Sequence, residues 1–389
     1  KPCGKSCSSS HPSILSTSDR MFIEAVSFVE DKSKVPTKAG QGGGSKLSGS
    51  NSIVTCPIVR PGVPMVDGES RQAWRFIEWI TRPMETGEIG FSPSGVARGD
   101  DVHVLTGTQG EVVKIDREGM LLGPVVSPFP SPVVDSTIVG DRWCGMWMDR
   151  ELRQARMAAI PLNEDWLDGP NREQVRISIH STNGDVLKPA MSIWHRTLDS
   201  EPMKIGVSGE NIVFTTVTGV YMIDSDANEI WRGMLPRWPD ISSLFAFDQI
   251  VGIVEFPGGL SIWSRAGGVS VLDPSNGLEI FSRTIQFGDK ISGVSYSEEG
   301  GWFVMLHEGS IAVMDKIEGD FSHYKTGSPV LDVQFIDGSW RWTGWRHDGS
   351  LVGQVVDIFE RDSVGVSIIN GSVLTNDGSW SEWGATRQT

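Results

Sequence analysis

The sequence predicts an all-β fold, a seven-bladed β-propeller of four-stranded antiparallel blades, with a flexible N-terminal extension. The first observation is the stretch Ile212–Gly233, which reads as three short strands separated by two tight turns. The second is that the same unit recurs along the chain at a spacing typical of propeller blades. The third is that a lone antiparallel meander cannot bury both faces, so the unit requires neighbours of its own kind.

The repeat is best seen at its turn glycines. Glycines 219, 268, 309 and 349 recur at intervals of 49, 41 and 40 residues. The remaining turns are predicted at Gly110, at Arg150-Glu151 and at Gly378. Seven turns of this kind predict seven blades.

The N-terminal residues differ in composition from the repeats. Residues 1–60 are predicted to be a flexible extension and linker, because they are rich in Ser, Gly and Lys. Residues 61–389 are predicted to form the propeller. The strand Ala73–Thr81 precedes the first repeat, while the last repeat lacks an outer strand. Because closing the ring removes an open sheet edge, Ala73–Thr81 is predicted to complete the last blade.

The repeat period does not explain Pro161–Ala190, which is predicted as an insertion between blades two and three. Within it, Val175–His180 is expected to pair as a hairpin with Asp185–Leu187. Long ordered insertions on rigid scaffolds often carry function. The alternative is a surface decoration that covers blades two and three. A tryptophan expected to be exposed lies among carboxylates here, a combination suited to anchoring a basic or amphipathic partner. These candidate partner-binding residues are Glu164, Asp165, Trp166 and Asp168.

A second candidate surface comes from equivalent turns of the last three blades. Their tips are expected to project from one face, where they could bind a metal or a cationic partner. The competing explanation is that Asp-Gly and Asn-Gly are the residues that tight hairpins require, and this structural explanation is favoured. The candidate residues at these tips are His307, Glu308, His347, Asp348 and Asp377.

Over residues 74–383 the repeats, such as LTGTQGEVVKIDREG and FTTVTGVYMIDSDANEIW, resemble the blades of quinoprotein-like (PQQ-repeat) propellers. WD40-like propellers are the near neighbours of that family. The resemblance implies the fold and not the chemistry, because propellers carry unrelated functions. Quinoprotein dehydrogenases add a cofactor pocket with a calcium-binding acidic set and adjacent cysteines. The sequence has no adjacent Cys pair, and no cofactor is expected.

Composition narrows the function classes. A net charge of −15 argues against binding nucleic acid or an anionic membrane surface. Four scattered cysteines favour reduced thiols and a cytoplasmic monomer over a disulfide scaffold. Many of the 15 tryptophans fall in predicted strands, where large rings are expected to fill the gaps between twisted blades.

The favoured function is a non-enzymatic scaffold that binds a protein or peptide. The alternative is an enzyme that uses the mouth of the central channel, either a degenerate quinoprotein-type oxidoreductase or a hydrolase.

Overall fold

The computed structural model describes residues 88–180, 187–242 and 248–385. They form seven antiparallel sheets, five of four strands and two of three, with strands that are consecutive in the chain pairing side by side. The predicted seven-bladed propeller is therefore confirmed. The predicted N-terminal extension and the strand Ala73–Thr81 lie outside the described residues.

Each blade is described from its inner to its outer strand. The strands of blades one to three are β1 Pro93–Ala97, β2 Val102–Gly107, β3 Val112–Asp116; β4 Val133–Val139, β5 Arg142–Asp149, β6 Gln154–Pro161, β7 Trp194–Leu198; and β8 Pro202–Ser208, β9 Asn211–Thr216, β10 Gly219–Ile223, β11 Glu229–Met234. Those of blades four and five are β12 Ile250–Phe256, β13 Gly259–Ser264, β14 Gly268–Leu272, β15 Glu279–Thr284; and β16 Ile291–Ser297, β17 Gly301–Leu306, β18 Ser310–Met314, β19 Ser322–Lys325. Those of blades six and seven are β20 Val330–Ile336, β21 Ser339–Gly344, β22 His347–Val352, β23 Val355–Glu360; and β24 Gly365–Ile369, β25 Ser372–Thr375, β26 Trp380–Glu382.

The first strand of every blade contacts the first strands of both neighbouring blades. These contacts run from β1 through β4, β8, β12, β16 and β20 to β24, and β24 contacts β1 again. The ring is therefore closed at its inner wall. We call the junction of blades one and seven the seam. At the seam the amide of Ile89 donates to the carbonyl of Gly378.

The hydrophobic core lies between neighbouring blades, and tryptophan rings supply much of it. Trp143 and Trp147 are fully buried and pack edge to face. Trp263 and Trp302 pack between blades four and five with ring centroids 5.2 Å apart and ring planes tilted by 48°. The prediction that tryptophans fill the gaps between blades is thus confirmed for these rings.

Blade three shows why the repeat unit folds as it does. Strands β9, β10 and β11 match the three predicted strands within two residues at each end. The turn after β10 is held by Asp224, whose Oδ1 accepts hydrogen bonds from the amides of Asp226 and Asn228. Gly219 is required for a steric reason, since a Cβ there would lie 2.6 Å from the carbonyl oxygen of Gly233.

The insertion differs from its prediction in two ways. It lies within blade two, between β6 and β7, and not between blades two and three. Val175–His180, expected to be a strand, belongs to helix α1, Arg172–His180. Its first turn is closed by a reciprocal pair, in which the Gln174 amide donates to Asn171 Oδ1 and the Asn171 amide donates to Gln174 Oε1. Residues 181–186, and with them most of the expected partner strand, lie outside the described residues. A second helix, α2, Pro239–Ser242, is a single turn.

The two three-stranded blades meet at the seam. In blade one, the segment 120–126 covers the outer edge of β3 without forming a regular strand. The amides of Val112 and Val126 each donate to the other residue's carbonyl, and the Leu122 amide donates to the carbonyl of Lys114. In blade seven, β26 is the outermost strand.

Candidate functional site

The insertion packs on the outer wall of blades one and two through Trp166. This tryptophan was expected to be exposed, and that expectation is wrong, because only 2% of its surface is accessible. Its ring packs against Trp143 with centroids 5.5 Å apart, and Nε1 donates to the carbonyl of Pro161. Val175 of α1 belongs to the same hydrophobic cluster. Trp166 is therefore a core residue, and the insertion is integrated into the fold.

Lys114 of β3 ties the insertion to blade one. Its Nζ donates to the carbonyls of Leu162 and Glu164 and lies 5.4 Å from the centroid of the Trp166 ring. Burial lowers the pKa of Lys114, while the nearby carboxylate of Asp165 opposes that shift. The ammonium thus satisfies backbone oxygens that would otherwise be left without partners in a buried place.

A second set of contacts joins the insertion to Ser127 and Pro128, which directly follow the segment 120–126. The carboxylate of Asp168 accepts a hydrogen bond from the amide of Ser127, and the amide of Gly169 donates to the carbonyl of Ser127. The two backbones approach so closely that a Cβ at Gly169 would lie 1.8 Å from the carbonyl oxygen of Pro128. These bonds place the chain around Leu167 beside that around Val125.

Exposed apolar side chains occur on the segments that meet here, and we call them and their neighbouring carboxylates the outer-wall surface. Leu122 and Val125 come from blade one, Leu167 from the insertion and Ile177 from α1. All four are exposed, with 63% of Leu167 and 60% of Ile177 accessible to solvent. Large exposed apolar side chains gathered in one region are typical of binding surfaces.

Carboxylates border the apolar side chains of this surface. Glu164, Asp165 and Asp168 lie within three residues of Leu167, and all three are exposed. The carboxylate of Asp168 also holds the backbone of Ser127. The predicted insertion carboxylates are therefore exposed and adjoin Leu167 in the chain, whereas the predicted tryptophan anchor is buried.

The turns between the second and third strands form a rim on one face of the ring. His307 and Glu308 occupy this turn in blade five, and Asp377 occupies it in blade seven, all three exposed as predicted. The carboxylate of Asp377 accepts from the hydroxyl of Thr375 and from the amide and hydroxyl of Ser379. These hydrogen bonds, that of Thr375 foremost, lower the pKa of Asp377. Asp377 therefore stabilises its own turn.

The prediction that His347 and Asp348 lie at a turn tip is wrong. Both begin β22 and are buried, because the turn of blade six is Trp345-Arg346. Asp348 forms a buried ion pair with Arg361, and burial lowers the pKa of His347. Neither side chain is available to a partner at the rim.

The sequence did not predict Trp345, which lies on the rim where His347 and Asp348 were expected. Trp345 has 45% of its surface exposed on the rim, and hydrogen bonds fix its backbone. Its amide donates to the carbonyl of Pro329, and its carbonyl accepts from the hydroxyl of Ser328. The misplaced turn hid this residue, because the repeat alignment put it inside a strand.

Within residues 88–180, 187–242 and 248–385, no three His, Cys, Asp or Glu side chains are grouped so as to hold a metal ion. No helix in the described part of the chain has the length and apolar character to cross a membrane.

The fold is similar to those of solved propellers at low sequence identity. The β-propeller domain of Cps50 (Swd1) from Myceliophteria thermophila has a TM-score of 0.53 and 12% identity, covering 76% of this chain and 97% of that chain. The WD40 β-propeller domain of Doa1 has a TM-score of 0.50 and 11% identity, covering 75% and 95%. BamB from Moraxella catarrhalis has a TM-score of 0.47 and 13% identity, covering 75% and 85%.

No protein-family model matches the sequence, and no curated protein is similar to it in sequence. The similarities to the propeller domains of Cps50 and Doa1 confirm the predicted β-propeller fold.

Proposed function

We propose that this protein is a non-enzymatic propeller that binds a protein or peptide, and that the partner presents a basic amphipathic segment to the outer-wall surface. WD40-like propellers commonly serve as protein-binding scaffolds. The observation that carries the proposal is the exposure of Leu167 and its apolar neighbours beside Glu164, Asp165 and Asp168.

The chemistry of this surface selects the partner. Apolar side chains provide the driving force for association, because burying them removes their surface from water. The carboxylates around them favour positive charge at the edge of the contact. The net charge of −15 on the whole chain attracts basic partners and repels acidic ones over longer range.

The test is a binding titration with designed peptides. The probe is a fluorescently labelled amphipathic Leu/Lys peptide of about 18 residues, the length of five helical turns. A labelled Leu/Glu peptide with the same pattern is the control. Fluorescence anisotropy is expected to show binding of the Leu/Lys peptide and not of the Leu/Glu peptide. Leu167→Ser should weaken binding about fivefold or more, the loss expected for an anchoring side chain.

A matched control is available in blade six. Val355 lies on β23 and is 62% exposed, close to the exposure of Leu167, but lies away from the insertion. Val355→Ser should leave binding unchanged. Asp165→Asn should weaken binding chiefly at low salt, since screening removes the contribution of an exposed charge. Equal losses from Leu167→Ser and Val355→Ser, with melting temperatures preserved, would contradict the proposal.

A further inference from the structure

A pocket at the seam carries the next inference. It has a volume of about 380 Å³ and lies between blade one on one side and blades six and seven on the other. Its walls come from the ends of β1 and β24, the chain after β3, and the inner strand β20. Pockets of this size accept small organic molecules. The lining that matters for its chemistry consists of Arg98, His103, Arg117, Gln334 and Asn370.

Each arginine of the pocket is held by an ion pair that its Nη2 makes with an aspartate. Arg98 Nη2 pairs with Asp332 and also donates to the hydroxyl of Ser367 and the carbonyl of Ile368. Arg117 Nη2 pairs with Asp101 at 2.9 Å. Because a guanidinium has five N–H donors, each arginine keeps donors beyond these bonds.

His103 reports the electrostatic character of the pocket. Its Nδ1 accepts a hydrogen bond from the amide of Gly99, which leaves Nε2–H as the donor of the neutral ring. Its pKa is lowered by burial and then by Arg98 and Arg117, and Asp116 only partly opposes them. The charges of Arg98 and Arg117 thus act on His103 more strongly than the charge of Asp116 does. Such an environment favours an anion.

Two carboxylates also line the pocket and add negative charge to it. Asp100 and Glu118 line the same pocket, and both are exposed to solvent. Water and salt screen exposed charges more strongly than partly buried ones. Arg98 and Arg117 are exposed too and are screened in the same way. An anion in this pocket would therefore gain from hydrogen bonds to the remaining N–H groups of the arginines and of His103 more than from net charge.

We propose that the seam pocket binds a small molecule through an oxyanion group, a phosphate or a carboxylate, which accepts hydrogen bonds from Arg98, Arg117 and His103. Arginine suits this role because its planar fork matches the geometry of both groups. The polar side chains of Gln334 and Asn370 remain to contact the rest of the ligand. This site is separate from the outer-wall surface and does not depend on the function proposed above.

The experiment follows the histidine resonances of the full chain by NMR, with His103 assigned through His103→Gln. The probes are inorganic phosphate, acetate and, at matched ionic strength, sodium chloride. Phosphate or acetate is expected to raise the pKa of His103 by about half a unit or more, because a neighbouring anion stabilises the imidazolium. Sodium chloride should not. A pKa of His103 that responds equally to all three salts would overturn the proposal.

Variants and larger probes sharpen this test. Arg117→Gln should reduce phosphate affinity about fivefold or more, while the control Arg150→Gln should leave it unchanged. The control is matched, because Arg150 is also exposed and paired with an exposed carboxylate, that of Glu201. Free phosphoserine should bind more tightly than inorganic phosphate if the ligand is a small molecule. A phosphoserine peptide that binds while the free amino acid does not would overturn the small-molecule assignment, and equal effects of both arginine variants would overturn the site.

Discussion

The buried ion pair between Asp348 and Arg361 yields a prediction whose magnitude follows from its surroundings. The two side chains are 0% and 5% exposed, respectively. Asp348 also accepts from the hydroxyl of Thr343 at 2.7 Å and from the amide of Gly384 at 2.8 Å. Replacing Arg361 by Met leaves these two donors but removes the only cation that pairs with Asp348 among the described residues. A carboxylate buried without its cation destabilises a fold by about 3–5 kcal/mol.

Urea denaturation of Arg361→Met is the measurement, with Arg150→Met as control. The Arg150–Glu201 pair is exposed, so its loss should cost less than about 1 kcal/mol. The double variant Arg361→Met/Asp348→Asn should regain most of the lost stability, because Asn is neutral. Its oxygen can accept from the amide of Gly384, and its NH2 group can donate to the hydroxyl oxygen of Thr343. If Arg361→Met is no less stable than the control, or if the double variant is no more stable than Arg361→Met, the reasoning about the buried charge is wrong.

Three further predictions concern other parts of the ring. Trp166→Ala should destabilise the protein by about 3–5 kcal/mol in thermal unfolding, because it empties a buried site. Trp345→Ala, at an exposed site, should change stability by less than about 0.5 kcal/mol. A similar effect of both variants would contradict the burial assigned to these two residues. Deletion of residues 1–60 should leave a cooperative fold. If Ala73–Thr81 completes the last blade, as the sequence predicts, deletion through Thr81 should cause aggregation, and a monodisperse product of this longer deletion would refute that prediction.

The third of these is a pH dependence. Burial lowers the pKa of His347 in the fold below its ordinary value of 6.5, so the unfolded chain binds more protons. The stability that neutral His347 contributes is present above about pH 6.5 and is lost as the pH falls through its lowered pKa. His347→Gln should flatten the decline of urea midpoints between about pH 7 and pH 5, and an unchanged slope would exclude this origin.

The number of blades could be predicted because its determinants are local. Alternating strands and tight turns such as Asp224–Asn228 are encoded within a few residues, and their recurrence counts the sheets. In blade six, turn-like composition predicted the turn at the wrong position. His347-Asp348-Gly349 has the composition of a turn, but Asp348 is paired with Arg361 in the interior, and Arg346 adopts the left-handed turn conformation with φ of 61°. Tertiary pairing outweighed local turn preference.

The insertion shows the limit of period-based reasoning. The run Val-Arg-Ile-Ser-Ile alternates as a strand does, yet it lies in α1. The contrary signal was the capping pair Asn171 and Gln174, which marks a helix start. The burial of Trp166 had no such signal, because it depends on Trp143 and Lys114, which lie 23 and 52 residues away in sequence.

The closed ring has a consequence for the order in which the molecule folds. Every sheet is made of consecutive strands, so each blade can form from contacts that are close in sequence. Closure is different, since it joins Ser92 to the carbonyl of Asn376 across 284 residues of chain. Closing such a long loop costs conformational entropy, and the contacts made at the seam must offset that cost. The seam is therefore expected to form last, and its amides to be among the last to gain protection from hydrogen exchange during refolding.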